Sequence, residues 1–340
     1  MLGGDYIKIT IKDIALDTGL SIATISKYLN HKSILEENKL LINRSIQKLH
    51  YVPNKTAQGL RTKSSNSICI FIPDIGNHIW GETCNSILEH MKKNNYSVII
   101  RSYSFSSDFM QDIQFLLNRQ IDGVVLFTET SFPIDFLALI KENQIPFVCM
   151  NQKPDFQTDF ISTSYYHTSY HASEYLINKG HQNIGILGIN SHSGIECVKG
   201  FQDARSRHHL PSSTNQYIKL YSKTDASFHE AFVSLTNPDF CITALVLLDH
   251  YTTINVALEF NSLTDSRENQ LSIIAFGDDE ILSALNPPFT VFANDFQTLG
   301  KEAANLLLKR ISGDYSSYPA SLYYDSIFLE RQSVFSNTNN

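Results

Sequence analysis

The chain lacks several features that would assign it to a common class. No run reaches the roughly 18 apolar residues that a bilayer crossing needs, so no membrane partner is expected. Its opening, Met-Leu-Gly-Gly-Asp-Tyr-Ile-Lys, has no apolar secretion core, and the expected compartment is the cytoplasm. The five cysteines (Cys69, Cys84, Cys149, Cys197 and Cys241) are scattered and never spaced C-x-x-C. That pattern fits reduced thiols and excludes a zinc ribbon. No nucleophile–histidine–carboxylate order points to hydrolysis, and Gly185-Ile-Leu-Gly188 is too short for a phosphate loop. His167 and His171 have the spacing of a two-histidine metal face, but nothing beside them in sequence is read as completing a ligand set. No metal, no cofactor and no enzyme activity are therefore expected. After Ser333 the polar tail, residues 334–340, lacks leucine heptads, which excludes a terminal coiled coil.

What is present is globular. Apolar residues make up 42% of 340 positions, enough for a small head and a large body. Charge divides the two. Residues 1–63 carry ten Lys/Arg against five Asp/Glu, a net of +5, while the remaining 17 Lys/Arg and 29 Asp/Glu leave −12. A basic head on an acidic body fits a nucleic-acid contact confined to one end.

Residues 10–30 carry the strongest local signal. Thr10 is a good helix N-cap, with Asp13 three residues on, and Ile11, Ile14 and Ala15 form an apolar face. Gly19 supplies the sharp turn. Ser21 caps a second helix with Leu20, Thr24, Ile25 and Leu29 inward and Ile22, Ala23, Ser26, Lys27 and Asn30 outward. That outer face is small, polar and cationic, which suits a helix in a DNA major groove. Taken alone, the segment fits an ordinary capped hairpin equally well. A third helix is predicted over Glu36–Leu49 with Leu40, Leu41, Ile46 and Leu49 as its core face.

The polar, cationic stretch 54–66 is the clearest boundary. Beyond it, short apolar runs alternate with amphipathic stretches from Ser67 to Phe276, the pattern of parallel sheets covered on both faces. The alternations are too many for one small sheet. The fold class read from them is a small all-α head plus an α/β body of two doubly wound parallel-sheet lobes, with a ligand site between them.

The chain resembles the lactose-repressor (LacI/GalR) family of bacterial regulators. The likeness rests on Thr10–Ala15, Gly19-Leu20-Ser21, Thr24–Lys27, Leu29-Asn30, the connector Tyr51, Pro53, Asn54, Ala57 and Leu60, and body motifs from Ile72-Pro73-Asp74-Ile75 and Asn77 to Glu330-Arg331-x-Ser333. The resemblance implies a helix-turn-helix head over 1–53, a hinge helix and linker over 54–66, and a periplasmic-binding-protein-like core over 67–333. That core would cross between lobes near 163, 292 and 322. It further implies a homodimer on palindromic double-stranded operator DNA. Thr10, Ser21, Thr24, Ser26, Asn30, Asn54 and Ala57 would join the DNA contacts. Ile22 and Ala23 would touch thymine methyls, Lys27 would read a base as a point charge in place of the family's arginine, and Leu60 would wedge a base step. Gly59 would cost the hinge helix about 1 kcal/mol relative to alanine.

The implied effector pocket departs from the family. Asn151 replaces an aspartate, Cys197 an arginine, Leu248 an asparagine and Gly277 an aspartate, leaving Asp249 and Asp278, while Asn294 replaces a glutamine. Trp80, Tyr221 and Phe296 fall where aromatic pocket residues would lie, and Asn77 joins the expected set. The expectation is a transcriptional repressor with a small-molecule effector that is not a simple hexose. The alternative is a ligand-binding carrier or sensor without DNA function.

Overall fold

A computed structural model describes residues 9–29, 32–51, 64–73, 78–103, 109–128, 134–155, 157–211, 217–237, 239, 241–263 and 271–337. The chain divides into two compact units, Met1–Ser65 and Asn66–Asn340.

The first unit holds α1 (Ile11–Thr18), α2 (Ile22–Leu29) and α3 (Glu36–Leu49). The start of α1 is fixed by Asp13, whose carboxylate accepts from the Thr10 N–H and hydroxyl at 2.7 Å each. Those two bonds hold the carboxyl below its usual range. Gly19, at φ 69°, ends the helix in the left-handed region and returns its N–H to Ala15 O at 3.0 Å. Ser21 Oγ accepts from the Thr24 N–H at 3.1 Å and starts α2. Each helix contributes one fully buried isoleucine, Ile14, Ile25 and Ile42, to a common centre. Leu40 and Leu41, expected in that core, are 55% and 44% exposed. The buried face of α3 runs through Ile42, Ser45, Ile46 and Leu49, the i, i+3, i+4, i+7 series that opposes Ile14 and Ile25.

The second unit contains, among the described residues, two six-stranded sheets. The first lobe is built on β1 (Ser67–Ile72), β2 (Ser97–Ser102), β3 (Gly123–Phe127), β4 (Phe147–Met150), β5 (Asp159–Thr163) and β11 (Ser321–Tyr324), in the order β11-β5-β4-β3-β1-β2, all parallel. The second is built on β6 (Ile184–Ile189), β7 (Ile218–Tyr221), β8 (Ala244–Leu247), β9 (Ser272–Phe276), β10 (Thr290–Ala293) and β12 (Ile327–Leu329), in the order β12-β10-β9-β8-β6-β7. Only the β10–β12 pair of this sheet is antiparallel. Central strands such as Gly-Val-Val-Leu-Phe and Ser-Ile-Ile-Ala-Phe are buried along their whole length, because helices cover both faces. In the first lobe α4 (His78–Lys93) and α12 (Phe296–Ile311) cover one face and α5 (Phe109–Asn118) and α6 (Ile134–Glu142) the other. At the contact between α12 and α4, a Cβ on Gly300 would lie 2.6 Å from Ser86 Cβ.

The chain passes between the sheets three times: from β5 to α7 (Tyr165–Asn178), from β10 to α12, and from β11 to β12. Periodicity alone missed β5 and everything after β9. The reason is chemical. β5 is buried but opens on Asp159 and closes on Ser162-Thr163, whose polar groups find distant partners, so no apolar run marks it. β11 and β12 are short and half-exposed, with little pattern to read.

Candidate functional site

The head presents one face of α2. Ser21, Ile22, Ala23 and Lys27 are exposed, Ile22 at 45%, while Thr24 and Ser26 are half-buried. Thr10 is exposed at the start of α1. Ser21 and Thr24 share a hydroxyl–hydroxyl bond of 2.9 Å, so both are held in place. Asn30, Asn54, Ala57 and Leu60 lie outside the described residues. Two ties orient this face. The Tyr28 hydroxyl donates to Asn43 Oδ1 across α2 and α3, and Lys48 Nζ meets Asp17 Oδ1 at 2.5 Å across α3 and α1. Sequence reasoning missed both. Tyr28 carried a signal, standing three residues after the buried Ile25. Lys12, Lys27, Lys32 and Arg44 are exposed cations of the head.

In the body, Trp80, Asn151, Asn294 and Phe296 line a single cavity with Phe127 and Met150. Its volume is about 30 Å³. That is room for a water molecule, not a metabolite. Trp80 is only 6% exposed and packs on Phe127 at 6.2 Å. Asn151, at φ 77°, occupies the left-handed region that asparagine tolerates. Its Nδ2 donates to Thr128 O at 3.0 Å and its Oδ1 accepts from the Tyr165 hydroxyl at 2.8 Å. Asn294 Oδ1 accepts from Thr163 Oγ1 at 3.1 Å and Ser326 Oγ at 3.3 Å. One amide oxygen thus joins the three crossover segments.

The other expected effector residues sit elsewhere. Cys197 is fully buried in the second-lobe core with Phe201 and Leu248. Burial pushes its thiol well above the usual range. In this structure it is core and not cleft wall, which corrects the sequence reading. Tyr221 is also buried. It exchanges a hydroxyl bond of 2.7 Å with Thr252 and meets Phe228 edge-on at 5.7 Å. Asp249 accepts from the Ile189 N–H, the Thr252 N–H and the Thr252 hydroxyl, each at 2.8 Å, capping α10 (His250–Leu263). Burial raises its carboxyl even so. Neither Tyr221 nor Asp249 reaches the Trp80 cavity. Asp278 is engaged by Arg331 through Nη1 and Nη2 at 2.8 and 2.7 Å, a pair that sequence reasoning also missed. Asn77 lies outside the described residues.

His171 Nδ1 lies 3.8 Å from Glu174, a carboxylate overlooked in the sequence, and His167 Nδ1 lies 3.4 Å from Asp325. Among the described residues no group of three His, Cys, Asp or Glu is placed to hold a metal ion, and no helix is long and apolar enough to cross a membrane.

Residues 10–54 match the family "Bacterial regulatory proteins, lacI family". Residues 65–240 match "Periplasmic binding proteins and sugar binding domain of LacI family", and 173–334 match "Periplasmic binding protein-like domain". The chain is similar to the HTH-type transcriptional repressor PurR of Actinobacillus pleuropneumoniae serotype 3, 25% identical over 96% of this chain and 98% of the relative. It is equally similar, at 25% with the same coverage, to the probable HTH-type transcriptional regulator EndR of Paenibacillus polymyxa. Its fold matches a Lac repressor dimer bound to operator and the anti-inducer ONPF, with a TM-score of 0.81 and 19% identity, covering 96% of this chain and 99% of that one. Head, two-lobed body and family matches agree, and the chain belongs to the LacI family of bacterial regulatory proteins.

Proposed function

We propose that this protein is a cytoplasmic dimeric repressor whose two heads read the halves of a palindromic operator, with stretch 54–66 as the hinge between head and core. The observation that carries the reading is the exposed face of α2, small and cationic, on a self-contained head of opposite net charge to the body. A mobility-shift titration on palindromic DNA against scrambled DNA, repeated across salt concentrations, tests it. Affinity that falls steeply with salt and ignores sequence would leave only non-specific binding.

Within that face Lys27 is the base reader, and Ile22 and Ala23 press on thymine methyls. Lys27→Ala is expected to weaken discrimination at one base pair per half-site by roughly 1–3 kcal/mol. The check is affinity for operators varied one position at a time. An equal loss on every sequence would make Lys27 a phosphate contact instead.

The body is proposed to take a small effector, but no simple hexose. A buried sugar needs several charge-assisted hydrogen bonds, each contributing roughly 1.5–3 kcal/mol. Cys197, Leu248 and Gly277 supply none. The amides of Asn151 and Asn294 and the carboxylate of Asp249 already have protein partners. The 30 Å³ cavity must also widen before anything enters. Free glucose, galactose and ribose are therefore expected not to bind tightly. A ligand with an apolar or aromatic face, packed on Trp80 or Phe296, is favoured. A thermal-shift screen of sugars against aromatic and small apolar metabolites decides this. Micromolar binding of a hexose, lost in Asp249→Ala, would overturn it.

A further inference from the structure

A second hollow lies on the opposite face of the first-lobe sheet from α4 and α12. Its volume is about 730 Å³, within the range of small-molecule sites and far larger than the cavity beside Trp80. The helices α5 and α6 cover the middle of that sheet face and leave β5 and β11 for this groove. Its floor is Phe160 and Ser162 of β5, next to Ser321 and Tyr323 of β11. One wall is the segment 153–158, pinned by the Tyr318 hydroxyl donating to Gln157 O at 2.8 Å. The other wall comes from the second lobe, through Tyr166 of α7 and His192 and Glu196 of α8 (His192–Arg207).

Two observations mark the groove as a ligand site. Thr158, which lines it, is 2% exposed and its hydroxyl has no nitrogen or oxygen partner, only the Cys149 thiol beside it. A buried hydroxyl in that state costs stability unless something completes it. Tyr323 is 57% exposed and steadied edge-on by Phe160 at 5.6 Å, leaving an aromatic surface at the mouth. The charges of the lining nearly cancel. Lys153 faces no surplus of cations, Asp155 is of opposite sign, and Glu196 is paired with Lys199 at 2.6 Å. A phosphate or other anion would find one lysine and two carboxylates. A purely apolar guest would strand the hydroxyls of Thr158, Ser162 and Ser321. What fits is a neutral molecule dense in hydroxyls, with a C–H face for the tyrosine ring and a volume larger than one sugar ring.

We propose that this groove is a second small-molecule site, separate from the cavity between Trp80 and Phe296, and that it takes a neutral disaccharide. Its lining runs along Ser162–Tyr166, the first crossover, and Thr163 is bonded to Asn294 where the crossovers meet. A guest here touches both lobes and stiffens their junction.

Calorimetric titration of the full-length protein with maltose, cellobiose and sucrose tests the proposal, with glucose and uridine as comparisons. At least one disaccharide is expected to bind with a sub-millimolar Kd. Tyr323→Ala and, separately, Glu196→Gln should weaken it by about tenfold or more, while Phe296→Ala leaves it within about twofold. Melting curves confirm that each variant is folded. Glu196→Gln, a surface change, carries the test if Tyr323→Ala does not fold. Three outcomes would overturn the proposal: no disaccharide binds; uridine binds and no disaccharide does; or Phe296→Ala abolishes binding that Tyr323→Ala and Glu196→Gln leave intact. The last would move the sugar to the inner cavity, and it is distinguishable from a failure of the repressor reading, which DNA titration reads independently.

Discussion

A chain beginning at Asn66 is expected to fold and to lose operator affinity by about three orders of magnitude or more. The division of the molecule is the reason it should fold. Met1–Ser65 and Asn66–Asn340 are separate compact units, and the hydrophobic clusters of the body contain no head residue. The charge distribution is the reason it should not bind. The truncated chain keeps the −12 and loses the +5. Affinity for DNA rests on displacing counterions from phosphates with Lys and Arg. An acidic surface without the head repels the polyanion, so non-specific binding disappears together with the specific term. Fluorescence anisotropy at one fixed salt concentration, beside a melting curve of the truncated chain, checks both halves. Specific binding retained without the head would remove the helix-turn-helix assignment, and a body that does not melt cooperatively would remove the claim of independence.

The turn between α1 and α2 was legible because its determinants are local. Thr10, Asp13, Gly19 and Ser21 act within four residues of where they stand, and the structure uses each as its chemistry suggests. The buried face of α3 was less so. Leu40-Leu41-Ile42 offers three consecutive apolar side chains, and only the positions of Ile14 and Ile25 select Ile42. Buried parallel strands announce themselves as apolar runs, yet β5 does not. Asp159 is tolerable there only because Arg310 arrives from 151 residues further on. The cleft shows the same limit in another form. Residue type told which groups could hydrogen-bond a ligand, but not which were already engaged. Asn151, Asn294 and Asp249 have the donors and acceptors of a binding site, and the fold has turned them on Thr128, Thr163 and Ile189. Cys197 kept its position in the sequence pattern, but with no charge to hydrate it sank into the second-lobe core.

Arg310→Met is expected to destabilise the body by about 3–5 kcal/mol, the usual cost of removing one partner from a buried pair. Both members are almost wholly buried. Arg310 Nε and Nη2 donate to the two oxygens of Asp159 at 2.6 and 3.0 Å, and its Nη1 donates to Asp314 O at 2.6 Å. The rings of Tyr315 and Tyr318 flank the guanidinium at 5.4 and 5.5 Å. Asp159 Oδ1 also accepts from the Ala320 N–H at 2.8 Å, which sets the start of β11 beside β5. Removing the guanidinium leaves a carboxylate in a site without water or another cation. Either it stays charged at a large desolvation cost or it takes up a proton, and both penalise the folded state. Replacing both residues, Asp159→Leu with Arg310→Met, removes that charge and should recover part of the loss. Recovery stays incomplete because the Ala320 N–H then lacks its acceptor, at a cost of about 1–3 kcal/mol. Urea denaturation of the two single variants and the double variant measures the coupling. A double variant as unstable as the sum of the singles would mean that Arg310 and Asp159 act independently. In that case the anchoring of β11, and with it the third crossover, rests on the strand pairing alone.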